Sequence, residues 1–176
     1  MRLFIAIPLP ADVRGSVLET QRALRAFGAS GRFVPDNCFH ITLHFIGESD
    51  QFIDIIEAMK LASRSVRPFP LHLAEYGRFS GNRVAFLSVV CDNKELYRLH
   101  KSLEHELYER GLLQARGRLT PHITLARNIC GDEGFVWKKQ KTTFCVDEFV
   151  LYESRRTDGS MRYIARHKEK LSCVPA

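Results

Sequence analysis

His40-Ile41-Thr42-Leu43 returns letter for letter as His122-Ile123-Thr124-Leu125. Both copies lie in apolar, β-branched stretches that read as strands. Successive side chains of a strand point to opposite faces. His40 and Thr42 therefore share one face, and Ile41 and Leu43 the other; the second string divides the same way. Each copy is an imidazole beside a hydroxyl, backed by two apolar anchors. Two such strands side by side present two His and two Thr to one pocket.

The rest of the chain arranges itself around these strings. Leu3 to Ile7 reads as a buried strand ended by Pro8 and Pro10. Residues 11–27 carry apolar side chains at helical spacing, and the glycines at 28 and 31 stop them. A short extended piece at 32–34 precedes the first motif strand, expected over 39–47. A second amphipathic helix is expected over about 51–64, then a strand at 71–74. After a Gly81-Asn82 turn signal the plan restarts: a strand at 84–90, a helix at 94–110 with Leu96, Leu99, Leu103 and Leu107 as its stripe, a basic loop, and the second motif strand at 122–127. Runs at 144–152 and 161–165 around Asp158-Gly159 read as a closing hairpin. The motifs are offset by 122 − 40 = 82 residues, and the same offset carries Phe4 to Phe86 in the second opening strand. This order implies one domain over 1–176, an internal duplication with two lobes about a pseudo-twofold axis.

A chain of 176 residues with 45% hydrophobic and 26% charged content has the make-up of a globular protein. Lys and Arg outnumber Asp and Glu by 26 to 20, a surplus that favours anionic partners such as nucleic acid. The five cysteines (Cys38, Cys91, Cys130, Cys145 and Cys173) are odd in number and never spaced Cys-x-x-Cys. That argues against a disulfide framework or a zinc ribbon and for reduced, mostly buried thiols. The apolar start is too short for a signal core or a membrane span. The expectation is a cytoplasmic protein with no membrane partner.

Taken singly, each motif residue has a structural explanation: a hydrogen-bonded His, a Thr that suits a strand. The identical strings at corresponding places argue for chemistry. Opening a cyclic phosphodiester needs water activated on one side of phosphorus and a proton delivered to the leaving oxygen on the other. Histidine suits both tasks, because its ordinary pKa near 6.5 allows one ring neutral and one charged near pH 7. Two Thr hydroxyls suit the non-bridging oxygens. The scheme needs neither metal nor cofactor.

Paired His-x-Thr-x motifs in a duplicated αβ chain resemble the two-histidine (2H) phosphoesterase superfamily. The resemblance is to its RNA 2′,3′-cyclic phosphodiesterases, also called 2′-5′ RNA ligases. It is carried by MRLFIAIPLP at 1–10, RFVPDNCFHITLHFIGE at 32–48, TPHITLAR at 120–127 and FVLYESRRTDGSMRY at 149–163. It implies an α+β, bilobal fold, two antiparallel β-sheets lining a central cleft with helices packed outside. It implies hydrolysis of a terminal 2′,3′-cyclic phosphate on RNA to a 2′-phosphomonoester, with His40 protonating the leaving 3′ oxygen and His122 activating water. The protein is expected to be a monomer. Arg127, five residues after His122, stands where the family places a phosphate-binding Arg. Phe45, five after His40, stands where an aromatic meets the terminal base. Strict alternation turns both away from the His-Thr face unless a bulge or the strand end turns them back. His44 departs from a common Lys or Arg of the family. By parity it joins the His-Thr face, as an RNA contact or, with His40 and His122, as a zinc ligand; both Thr would then have no role. Arg32, Arg116, Arg118, Arg155 and Arg156 are further candidates for RNA phosphates.

Three other readings stay open: reversible 2′-5′ ligation by the same His pair, an RNA-binding module without turnover, and a phosphodiesterase for small cyclic phosphates.

Overall fold

The computed structural model describes residues 1–79, 81, 83–137, 142–157 and 159–172. The expected turn residues Asn82 and Asp158, and Cys173, lie outside the described residues. The strands are β1 (Arg2–Pro8), β2 (Ser30–Phe33), β3 (His40–Glu48), β4 (Phe69–Phe79), β5 (Val84–Val90), β6 (His122–Cys130), β7 (Thr143–Val146), β8 (Glu148–Thr157) and β9 (Ser160–Lys170). The helices are α1 (Ala11–Phe27), α2 (Phe52–Ser63) and α3 (Glu95–Glu109). No helix among the described residues is long and apolar enough to cross a membrane.

The strands pair in the order β7-β4-β5-β6-β3-β1-β8-β9, with β2 also on β6. All these pairings are antiparallel. The two expected sheets, β7-β4-β5-β6 and β3-β1-β8-β9, meet at one point, where Ile41 of β3 pairs with Ile123 of β6. These are the same position in the two strings. The sheet is thus one curled surface, continuous through a single pair.

Two expectations need adjusting. The run 144–152 is two strands: β7 joins β4 at one end of the sheet, while β8 lies between β1 and β9. The break at Asp147 is where the chain crosses from one sheet to the other. The offset of the opening strands also differs. Ala6 and Phe86 each stand opposite a motif Thr, so their equivalence is 86 − 6 = 80 rather than 82. The connection from opening strand to motif is two residues longer in the second half.

The α3 stripe read from the sequence is buried throughout and the α1 stripe over most of its length, with Phe27 at its end 49% exposed. Val13, Val17 and Leu24 of α1, and Leu96, Leu99, Leu103 and Leu107 of α3, are without solvent exposure. Gly28 ends α1 in a left-handed conformation (φ 110°), and the amide of Ala29 returns to the Leu24 carbonyl at 3.0 Å. That closing turn favours glycine. The helices cross between halves. The buried Gln21 of α1 donates from Nε2 to the carbonyls of Leu125 (2.8 Å, on β6) and Val34 (2.9 Å), while α3 packs on β3 and α2. Each motif strand is covered by the helix from the other half. Of the four described cysteines only Cys38 is buried; Cys91 is half-buried, and Cys130 and Cys145 are exposed. The expectation of mostly buried thiols does not hold, because β6 and β7 present Cys130 and Cys145 on their solvent faces.

Gln21→Leu keeps the volume of the side chain but strips a hydrogen bond from each of two carbonyls. Chemical denaturation should show a loss of about 1–3 kcal/mol with an unchanged m-value.

Candidate active site

Parity holds along both strings. Ile41, Leu43, Ile123 and Leu125 are at most 4% exposed, while His40, Thr42, His122 and Thr124 are all half-buried. Continuing the antiparallel register from Ile41–Ile123 sets His40 across from Thr124 and Thr42 across from His122. The two imidazoles occupy one diagonal of a four-residue square and the two hydroxyls the other.

The rings are turned by the same local contact. His40 Nδ1 lies 2.7 Å from the Cys38 carbonyl, and His122 Nδ1 lies 2.7 Å from the Thr120 carbonyl, each two residues back. A carbonyl only accepts, so each Nδ1 carries the proton and each Nε2 holds the lone pair when the ring is neutral. Thr42 Oγ1 is 3.0 Å from His40 Nε2 and donates to it in that state. Burial lowers the pKa of His40 to about 4; the hydrogen bond to Cys38 opposes the shift, and the charges of His122 and Arg127 reinforce it. His40 is neutral at pH 7. His40 thus shares one electrostatic field with His122 and Arg127.

Both motif strands bulge directly after the string. Against β1, Ile5 pairs with His44 and Ala6 with Thr42; against β5, Ala85 pairs with Ala126 and Phe86 with Thr124. Each time, one extra residue sits on the motif strand. Leu43 and His44 are consecutively buried, as are Leu125 and Ala126, and the residue after each pair, Phe45 and Arg127, is exposed. The bulges turn Phe45 (67% exposed) and Arg127 back to the His-Thr face. Arg127 then acts electrostatically on His40 and Tyr163, and the Phe45 ring lies 6.0 Å from that of Phe4, which contacts His40.

The same bulge removes His44 from the cleft, correcting its expected place beside His40. His44 is 8% exposed, its Nε2 donates to the His100 carbonyl at 3.0 Å, and its ring stacks on His100 of α3 with centroids 4.3 Å apart. On the covered face it meets neither RNA nor a metal shared with His40 and His122. Burial also lowers its pKa, to about 4.

Aromatic rings that were not among the candidate site residues wall the site. Tyr163 stands edge-on to His40 at 5.1 Å, and Phe4 lies 5.0 Å from His40 and stacks on Tyr152 at 5.4 Å. Phe79 and Phe86 stand edge-on to His122 at 5.1 and 5.6 Å. The motif that ends at Tyr163 carried a signal, since FVLYESRRTDGSMRY was among the stretches of resemblance. Nothing in the sequence marked Phe79. Among the basic candidates, Arg155 is held by Glu153, Arg116 by Glu109 and the Tyr108 ring. Arg116 and Arg118 line a pocket with His100 beside α3, on the covered side of β3. Arg156 lies near the tip of the β8–β9 hairpin.

The geometry predicts a pH response. The folded values of His40 and His44 lie near 4, below the ordinary 6.5, so the unfolded chain binds more protons between those limits. The stability that their neutral forms confer is complete above about pH 6.5 and is lost as pH falls toward 4. Long-range proton–nitrogen NMR should show His40 neutral, with Nδ1 protonated, at pH 6. Denaturation midpoints should fall between pH 6.5 and 4, and less steeply in His44→Gln.

Comparison with known proteins places the chain in a family. A sequence model of the 2′-5′ RNA ligase superfamily matches residues 18–158. The chain is 31% identical to an RNA 2′,3′-cyclic phosphodiesterase of Escherichia coli K12, over 92% of each chain. It is 32% identical to one of Thermotoga maritima, over 89% of this chain and 88% of that one. Its fold is similar to that of Escherichia coli LigT complexed with 3′-AMP, with a TM-score of 0.82 and 29% identity over 97% of this chain and 96% of the other. The family match spans both His-Ile-Thr-Leu strings, and the chain belongs to the 2′-5′ RNA ligase superfamily.

Proposed function

We propose that this protein hydrolyses the terminal 2′,3′-cyclic phosphate of RNA to a 2′-phosphomonoester, using His40 and His122 as acid and base. One observation carries the reading. Two imidazoles, each fixed by a carbonyl two residues back, turn Nε2 toward a cleft face they share with two Thr hydroxyls and Arg127. The likeness to the cyclic phosphodiesterases of Escherichia coli and Thermotoga maritima supports the substrate.

The steps follow from that arrangement. The cyclic phosphate sits between the rings, its non-bridging oxygens on Thr42, Thr124 and Arg127. The Thr42 hydroxyl turns from His40 Nε2 to the phosphate. The anion offsets the Arg127 charge that helps to depress His40, and His40 takes up a proton. His122 Nε2 removes a proton from water, the water oxygen bonds to phosphorus, and the bond to the 3′ oxygen breaks as His40 Nε2–H protonates it. Exchange with solvent resets both rings. Phe45 stacks on the terminal base. Arg127 and the hydroxyls stabilise the charge gathering on phosphorus. The whole of 1–176 acts as one bilobal domain built on an internal repeat. It works as a cytoplasmic monomer, a reading supported by a cleft assembled from one chain.

Two variants test the roles. His40→Ala and His122→Ala should each lower kcat on a cyclic-phosphate RNA by about 10²–10⁴-fold, with RNA affinity little changed. A binding module would lose affinity or nothing. On a p-nitrophenyl phosphodiester, whose phenolate departs without a proton, His40→Ala should retain most of its rate and His122→Ala should not. The opposite pattern would exchange acid and base.

A further inference from the structure

β2 sets Arg32 directly opposite Arg127 of β6. Opposed residues of antiparallel strands project from the same face about 5 Å apart at Cβ, and like charges there destabilise the sheet. The protein has a second such pair, Arg155 opposite Arg162 on β8 and β9, but it carries a counter-ion: Arg155 donates to the Glu153 carboxylate at 3.0 and 3.2 Å. Among the described residues neither Arg32 nor Arg127 makes an ion pair with a carboxylate, and both are exposed.

The pair is held together by its backbone. A Cβ on Gly31 would lie 3.1 Å from the Arg127 carbonyl oxygen and 3.1 Å from the Ile129 Cα, so only a residue without a side chain lets β2 close on β6 here without a shift. β2 also takes up the edge of β6 that β3 leaves after Ile123. Arg32 therefore continues the cleft's open face, level with a point four residues, about 13 Å, along β6 from the Ile41–Ile123 pair. That is beyond the reacting phosphate and alongside the residue that binds it. An uncompensated pair of guanidinium groups leading out of an anion site suits a second phosphate on the same strand.

We infer that Arg32 binds the phosphodiester on the 5′ side of the terminal nucleotide, and so makes the enzyme select an RNA end over a free nucleoside cyclic phosphate. This rests on the cyclic phosphodiesterase reading above. Arg127 serves the cyclic phosphate and Arg32 the next one. The repulsion between them is relieved when the chain of RNA is in place.

The test compares adenosine 2′,3′-cyclic phosphate with the dinucleotide ApA ending in a 2′,3′-cyclic phosphate, using the full chain and its Arg32→Ala and Arg32→Lys variants. The wild type should show a higher kcat/KM on the dinucleotide. Arg32→Ala should lose about ten- to a hundredfold there, chiefly in KM, while staying within twofold on the mononucleotide; Arg32→Lys should recover part of the loss. Thermal unfolding of Arg32→Ala should be unchanged or higher, since a repulsion is gone. Equal loss on both substrates, loss on neither, or a wild type without preference would overturn the inference while leaving the reaction standing. A wild type that opens neither substrate would overturn both.

Discussion

Burial of four aliphatic side chains on one face of two strands holds the cleft. Ile41, Leu43, Ile123 and Leu125 each stabilise the fold by roughly 1.5–3 kcal/mol on leaving water, and alternation then leaves His40, Thr42, His122 and Thr124 no orientation but the opposite face. A slip of one residue would bury the imidazoles and expose the anchors. The contact of β3 with β6 at Ile41–Ile123 adds the second constraint, because it joins equivalent positions in opposed directions. Opposed strands meeting at equivalent residues set unlike neighbours, His and Thr, across from each other.

The bulges convert this regular surface into a site. Perfect alternation would supply His and Thr but hide the residues that follow. One extra residue on each strand brings Phe45 and Arg127 to the cleft and moves His44 to the covered side. The disrupted ladder on β6 is not left unsatisfied. The Leu125 carbonyl accepts from the amide of Val34 at 2.9 Å and from Gln21 at 2.8 Å. Thus α1, far from the chemistry, fixes the strand where it departs from regularity, and the same contact carries β2 and Arg32 to the cleft. Electrostatics ties these parts together. His40 is held neutral chiefly because it is buried, and secondarily because His122 and Arg127 face the same space.

Much of this was legible in the sequence for physical reasons. The period-2 pattern of the strings fixed their faces, and the apolar stripes located α1 and α3 to within a residue or so. A bulge was named as one way for Phe45 and Arg127 to return, the strand end being the other, but no residue in either strand announces a bulge. The bulges exist because β1 and β5 pair in a register that only the folded sheet sets, and so His44 was read on the wrong face. The division of 144–152 failed for the same kind of reason, since one continuous apolar run serves two sheets. The aromatic walls around His40 and His122 come from strands distant in the chain. Their side chains look like core until the cleft is seen.

The most direct measurement is end analysis of a short RNA bearing a 2′,3′-cyclic phosphate, incubated with the protein in excess EDTA. The account predicts conversion to a 2′-phosphate end, with a free 3′ hydroxyl, at a rate unaffected by the chelator. A cyclic end left intact by folded protein, or opened only to a 3′-phosphate, would contradict it.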